Sequence, residues 1–196
     1  MISADQAGEA GEDAGRRHAF LQSIREMVEA GDSGESVIGV AADGLRDLTE
    51  LDHVLVIVRD HGGDTLAIRH ASLGTWEREQ IYDYAGANLE EMRISGDALP
   101  LLQQIKELGP VIIIERSSRI AALASALPAR DDLASLAASA VRSHNVGCAC
   151  VVPLYPDGEL GGAIIATRYG PQVPPLEDLE LLRMVAELTS SAVASN

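Results

Sequence analysis

The chain has 196 residues, 46% of them apolar, and its 30 acidic against 15 basic residues give a formal net charge of −15. This length and apolar content predict one globular domain with a real core rather than a disordered chain. The negative charge repels phosphate backbones and anionic lipid headgroups, so we expect no direct nucleic-acid binding and no membrane association. No apolar run reaches the ~20 residues of a membrane span, and no signal-peptide pattern is present, so we expect a cytoplasmic protein.

The beginning of the chain predicts a tail followed by two helices. Residues 1–16 are rich in Ala, Gly, Asp and Glu, which is typical of a disordered acidic tail, so a single folded domain is expected over residues 17–196. Within residues 18–30 the apolar side chains recur at helical spacing. Ser33 is a typical N-cap for a second helix over residues 36–48.

The middle of the chain alternates predicted strands and helices. The β-branched runs at residues 54–58 and 111–114 predict strands, and the first is expected to be covered on both faces. A Gly-Gly turn after the first run predicts a returning strand over residues 65–71. Further helices are expected over residues 76–87 and 97–108 and, as a pair broken by Pro128, over residues 117–146.

The last quarter carries the clearest pattern. Two apolar runs, residues 146–155 and 160–167, flank a Pro-Asp-Gly turn and predict an antiparallel hairpin. Pro174 and Pro175, followed by acidic residues, then predict the beginning of a long helix. The complete order predicts an α+β fold: a central antiparallel sheet of about five to six strands with helices on both faces.

Several residues of this last quarter resemble the C-terminal half of a GAF domain. They are Val152-Pro153-Leu154 at the end of a strand, Gly158 in the turn, Gly161-Gly162 at the entrance of the next strand, and Asp178, Leu181 and Leu182 in the last helix. The resemblance extends more weakly over residues 18–196. It implies a non-enzymatic sensory domain of a signalling protein such as a histidine kinase, cyclase or transcription regulator. Such a domain binds a small molecule over its sheet and signals through dimerising terminal helices to an effector domain or partner.

The signatures of the specialised GAF branches are missing. The cyclic-nucleotide signature needs Phe and Lys at positions where this chain has neither, since its one Phe is Phe20 and its one Lys is Lys106. The bilin-binding Cys-His pair is absent as well, and no cysteine lies outside the strand that holds Cys148 and Cys150, which weakens a methionine-sulfoxide reductase interpretation. The sequence therefore names neither the ligand nor a cofactor.

The resemblance nevertheless implies where a ligand pocket would lie. It would be enclosed by residues 73–97, the end of the third strand and residues 117–145. The candidate ligand-binding side chains are Trp76, Tyr82, Tyr84, Arg93, Ile114, Arg116, Arg119, His144, Cys148 and Cys150. Three arginines around an apolar cavity would suit a small anion. The alternative is that the arginines lie along helix surfaces while Leu and Ala close the cavity.

Two features leave alternatives open. Cys148 and Cys150 lie two residues apart on one strand and share a face, so they are either a thiol redox pair or two small buried apolar residues. The last helix carries two apolar stripes, of which the second needs a partner: either the helix at residues 18–30 or a second copy of the chain. If the pocket is closed, a ligand-free dimerisation or interaction module is the competing hypothesis.

Overall fold

The computed structural model describes residues 4–60, 65–86, 88–94, 110–126 and 131–194, with the backbone alone for residues 4–10, 84, 85, 131–133 and 136. Its helices in this part of the chain are α1 (Ala4–Ala30), α2 (Gly34–Leu48), α3 (Thr75–Ala85), α4 (Ser117–Ala126), α5 (Asp131–Ser143) and α6 (Leu176–Ala194). Its strands are β1 (His53–Arg59), β2 (Leu66–Ser72), β3 (Arg93–Ile94), β4 (Ile112–Ile114), β5 (Val146–Leu154) and β6 (Gly162–Tyr169). None of these helices is long and apolar enough to cross a membrane.

The strands form one antiparallel sheet in the order β3-β2-β1-β6-β5-β4. Strands β1 and β6 occupy its centre, and both read as apolar runs because helices cover them on both sides. The predicted hairpin of β5 and β6 is confirmed, and its turn places Asp157 and Gly158 at φ 54° and 80°. The α+β fold with an antiparallel sheet between two helical layers is therefore as predicted.

The two faces of the sheet carry separate cores. Helices α1, α2 and α6 cover one face, where Val54, Val56 and Ile164 belong to a single buried cluster. On the opposite face, alternate residues of the same strands, such as Ile57 and Ile165, pack in a second cluster beside α3, α4 and α5. The period-two alternation of side chains divides the strands between these cores.

Helix α1 begins at Ala4, earlier than the sequence predicts, and so includes most of the segment expected to be a tail. Ala, Gln and Glu are favourable helix formers, and the Asp13 carboxylate lies 3.6 Å from the Arg16 guanidinium one turn later. Residues 11–16 are exposed, so this part of α1 contributes nothing to the core. The domain boundary at residue 17 stays a prediction.

Both apolar stripes of α6 are buried within one chain. Leu182 and Ala186 of the first stripe and Leu181 and Val185 of the second belong to the same cluster, in which α6 packs against α1 and α2. The intrachain alternative thus accounts for the second stripe. The apolar pattern of α6 no longer calls for a second copy.

Three further features differ from the sequence predictions or lie beyond them. The two-residue strand β3 was not predicted, because two residues carry no periodicity. The helix expected over residues 97–108 lies outside the described residues. Gly162 permits the close approach of β6 to β1, since a Cβ there would lie 2.1 Å from the Ile57 carbonyl oxygen.

Candidate functional site

A cavity of about 400 Å³ lies between the sheet and helices α3, α4 and α5. This volume is within the range of small-molecule sites. Its apolar walls are formed by Leu55, Leu73, Ile81, Leu89, Ile120, Leu123, Ala124, Ala137, Ala140, Val141, Val146, Ala149 and Ile165. Its polar lining residues are His53, Glu77, Gln80, Ser139, Ser143, His144, Thr167 and Tyr169.

Four of the polar lining residues form a connected hydrogen-bond chain. Thr167 Oγ1 lies 3.0 Å from His53 Nδ1, and His53 Nε2 lies 2.9 Å from the Tyr169 hydroxyl. The Tyr169 hydroxyl donates its proton to Glu77 Oε1 at 3.1 Å. Because that proton is committed to Glu77, the Tyr169 oxygen accepts from His53. This direction assigns the imidazole proton to Nε2 and leaves Nδ1 to accept from the Thr167 hydroxyl.

Strand register and one helix start bring these four residues together. His53 of β1 is directly opposite Thr167 of β6, and the Tyr169 amide is fixed by a 2.7 Å hydrogen bond to the Asp52 carboxylate. Glu77 is the third residue of α3, where its carboxylate accepts a hydrogen bond from its own backbone amide. A Cβ at Gly74, the residue before α3, would lie 2.1 Å from Glu77 Oε2, so glycine leaves room for this carboxylate.

The surroundings of His53, Glu77 and Tyr169 determine which of these three side chains is charged. Burial lowers the pKa of His53 against the opposing effect of Glu77 and Asp52, which favours the neutral imidazole. Burial alone would raise the pKa of Glu77, but hydrogen bonds from its own amide and from Tyr169 lower it, so the carboxylate is ionised at neutral pH. Burial and the bond to Glu77 raise the pKa of Tyr169 to about 12, which keeps its proton in place.

Two more rings extend the polar side of the cavity. The His144 ring lies 6.3 Å from the Tyr169 ring in a stacked arrangement and 5.2 Å from the Trp76 ring in an edge-to-face arrangement. His144 follows the end of α5, where Asn145 adopts the left-handed conformation that ends helices. Of the predicted site residues, His144 lines the cavity, and Trp76 packs against the His144 ring.

The structure places the other described candidates away from the cavity lining. Tyr82 is 53% exposed, and the Arg93 guanidinium faces Asp60 with a separation of 3.5 Å. Arg116 and Arg119 are exposed at the beginning of α4. Ile114 packs against the core of this face without lining the cavity. The side chain of Tyr84 lies outside the described part. The three arginines therefore lie on the protein surface, which was the alternative to a ring of arginines around the cavity. The expectation of an anion site loses its support.

Cys148 and Cys150 do not belong to the cavity. Both thiols are fully buried in the core on the opposite face of the sheet, among the residues covered by α1, α2 and α6. Between them Ala149 points to the cavity, as the alternation of a strand requires. The assignment of both cysteines to the ligand site is thereby corrected. Their environment is that of two small buried apolar residues, which was the alternative to a thiol redox pair.

Four residues of the cavity lining were not predicted from the sequence: His53, Glu77, Thr167 and Tyr169. His53 and Leu55 lie two positions apart on β1 and therefore share a face of the strand. This spacing is a signal that could have assigned His53 to the cavity face. The other three approach one another only through the fold, since Glu77 and Tyr169 are 92 positions apart. Among the described residues, no group of three or more His, Cys, Asp or Glu side chains is arranged to hold a metal ion.

One curated protein shares part of its sequence with this chain. A protein of Deinococcus radiodurans named 4-diphosphocytidyl-2-C-methyl-D-erythritol kinase is 29% identical over 174 residues, which is 83% of this chain and 54% of that protein. This chain thus spans about half the length of that relative.

Solved structures share the fold at low sequence identity. The phycoerythrobilin-bound GAF domain of a cyanobacterial phytochrome superposes with a TM-score of 0.64 at 15% identity, covering 91% of this chain and 95% of that one. The GAF domain of an Acinetobacter phosphoenolpyruvate-protein phosphotransferase gives 0.63 at 13% identity, covering 90% and 91%. The family model of the GAF domain matches residues 34–193, and the chain therefore belongs to the GAF domain family.

Proposed function

We propose that this chain is a sensory domain that binds a small molecule in the cavity beside α3, α4 and α5 and relays its occupancy to the terminal helices α1 and α6. The observation that carries the proposal is the apolar cavity with one connected polar side, formed by His53, Glu77, Thr167 and Tyr169. A largely apolar cavity with a few convergent polar groups is what a small-molecule site needs. The phytochrome relative binds its bilin within the same fold.

The loop between α2 and β1 supports the relay, because it touches both the cavity strand and the terminal helices. On one side the Asp52 amide donates to the Thr167 carbonyl at 2.9 Å, and its carboxylate accepts from the Tyr169 amide. On the other side, the Glu50 amide donates to Asp178 of α6 at 3.0 Å, and Asp178 pairs with Arg17 of α1. A displacement of β6 by a ligand would therefore act on α6 through two residues of one loop.

Membership of the GAF family supports the finer parts of the proposal. We place the chain as a non-enzymatic, cytoplasmic regulator of a histidine kinase, cyclase or transcription factor, which includes two-component signalling. A homodimer through the terminal helices would have to use exposed side chains such as Met184 and Leu176 of α6, because both apolar stripes already pack within the chain. An effector domain on a longer chain, or a partner protein, would read the position of these helices.

Native mass spectrometry tests the binding part of the proposal. The purified protein is measured intact and after denaturation, and we expect a discrete small mass that is lost on denaturation. Ala124→Phe places a ring in the cavity wall and should abolish this extra mass, whereas Ala122→Phe, on the exposed side of the same helix, should retain it. Retention of the mass by Ala124→Phe would show that the molecule binds elsewhere and would contradict the proposal.

A further inference from the structure

We propose that the ligand is an organic cation: an apolar body that carries a protonated amine, with Glu77 as the residue that selects for the positive charge. The proposal rests on the function proposed above, because it names the class of ligand for the same cavity. Three observations support it: the charge of the lining, the rings around Glu77, and the positions of the arginines.

Glu77 is the one Asp, Glu, Lys or Arg side chain among the described residues that line the cavity. Its carboxylate is 24% exposed and has no Lys or Arg partner among the described ion pairs. Among the described residues, the nearest basic group is His53 Nε2 at 3.7 Å, which carries a charge only when protonated, and burial favours its neutral form. A carboxylate beside an apolar cavity without a cationic partner favours a ligand that supplies one.

The groups around this carboxylate suit an ammonium ion. The Tyr169 hydroxyl occupies one acceptor position of Oε1, and the backbone amide of Glu77 provides one further donor, which leaves acceptor capacity on the carboxylate. The rings of His53 and Tyr169 lie 5.1 Å apart, and the His144 ring lies beside them. The face of a tyrosine ring attracts cations, so an ammonium group that reached Glu77 over the Tyr169 ring would gain from both the ring and the carboxylate.

An anionic ligand is disfavoured by the same geometry. Arg93, Arg116 and Arg119 are exposed and do not line the cavity, so no guanidinium among the described lining residues faces a ligand. The net charge of −15 further concentrates cations, rather than anions, around the whole chain.

Three probes that share one apolar body, a phenyl ring with four methylenes, test the selectivity: 4-phenylbutylamine, 4-phenylbutan-1-ol and 5-phenylpentanoate. Their dissociation constants are measured by calorimetry at neutral pH on the full chain, together with the emission of Trp76, which is the one Trp of the sequence and packs on His144. We expect the amine to bind about tenfold more tightly than the alcohol, as one charge-assisted hydrogen bond allows, and the acid to bind most weakly.

Two charge-matched variants on α3 assign the selectivity to one carboxylate. Glu77→Gln retains the shape and the helix position but should remove the preference, so that amine and alcohol bind equally. Glu79→Gln removes the same charge from an exposed position of the same helix and should leave the preference unchanged.

The possible failures separate the ligand class from the function itself. If the alcohol or the acid binds the wild-type chain as tightly as the amine, or if Glu77→Gln keeps the tenfold preference, the cation proposal is overturned while ligand binding in the cavity stands. If none of the probes binds, or if their binding survives Ala124→Phe, both the cation proposal and the cavity as the sensory site are overturned.

Discussion

Arg17 of α1 and Asp178 of α6 join the two ends of the domain: Arg17 Nη2 lies 2.7 Å from Asp178 Oδ1 across 161 positions of sequence. The Asp178 side chain is 1% exposed, and its second oxygen accepts a hydrogen bond from the Glu50 amide. One carboxylate thus holds α1, α6 and the loop before β1 together. This loop also binds β6 beside the cavity, so Asp178 lies on the path between ligand and terminal helices.

Replacement of Asp178 should destabilise the fold. Asp178→Ala leaves the partly buried Arg17 guanidinium with only the exposed Asp13 carboxylate, 3.9 Å away, and removes the acceptor of the Glu50 amide, so we expect the free energy of unfolding to fall by about 2–3 kcal/mol. Urea denaturation measures the change. The control is Glu187→Gln, which removes a pair with Arg183 on the exposed side of the same helix and should cost less than about 0.5 kcal/mol. Equal costs for the two variants would show that the buried pair contributes no more than a surface pair.

The neutral His53 predicts a pH dependence of stability. Because burial lowers its pKa in the folded state below the ~6.5 of an unfolded chain, the unfolded state takes up a proton first as pH falls. The contribution of neutral His53 is therefore complete above pH ~6.5. It is lost as pH falls from there to the folded-state pKa, by about 1.4 kcal/mol for each pH unit between the two values.

The measurement compares unfolding free energies of wild type and His53→Gln from pH 8 to pH 5. The groups that face this imidazole are Glu77 and Asp52, which favour its protonation, and Arg46, which opposes it. We expect the wild type to lose more stability than His53→Gln over this range, whereas His18→Gln, on the exposed side of α1, should follow the wild type. Parallel curves for wild type and His53→Gln would mean that the imidazole titrates as in the unfolded chain.

Local sequence patterns determine much of this fold. The Pro-Asp-Gly turn between two apolar runs predicted β5 and β6, and Pro174 and Pro175 predicted the beginning of α6, because turn chemistry and helix caps act within a few residues. The helical layers on both faces also followed from the apolar strands. Strand β3 escaped prediction because its two residues are too few to show the period-two pattern of a strand.

The site was harder to predict because it depends on long-range contacts. The family resemblance located the cavity and His144, but it suggested arginines that the structure places on the surface. The polar side of the cavity instead comes from Glu77 and Tyr169, which meet only when α3 packs over the end of β6. Cys148 and Cys150 shared a face as predicted. Which face that was depends on the register of β5 against its neighbours, and the bulge between Val146 and Cys148 shifts this register.

The buried thiols should be unreactive in the native protein. The hydrogen bond between the two thiols lowers the pKa of Cys148 and raises the pKa of Cys150, but both side chains are fully buried, so neither is accessible to a reagent in the folded protein. We expect a thiol reagent to modify both only at the rate at which the fold opens and at once in denaturant. Cys148→Ala should also be more stable than Cys148→Ser, because serine buries a hydroxyl in an apolar core at a cost of about 1–3 kcal/mol. Rapid modification of the folded protein would revive the thiol redox hypothesis.

Two glycines of α2 predict opposite effects of the same substitution. A Cβ at Gly39 would meet nothing closer than the His70 ring at 3.7 Å, whereas a Cβ at Gly44 would lie 2.1 Å from the Phe20 ring of α1. Gly39→Ala should stabilise the protein by about 0.5–1 kcal/mol through helix propensity alone. Gly44→Ala should destabilise it by about 1–3 kcal/mol, because Phe20 must leave its place against α2.

Thermal and urea denaturation of both single variants and of Gly44→Ala combined with Phe20→Leu measure this packing. If the clash with Phe20 is the cause, the smaller Leu should relieve it, so the Gly44→Ala substitution should cost less in the Phe20→Leu background than in the wild type. An equal cost in both backgrounds would place the strain elsewhere in α2. Stabilisation by Gly44→Ala as large as that by Gly39→Ala would mean that α1 moves freely on α2, and α1 could then not transmit a signal through this contact.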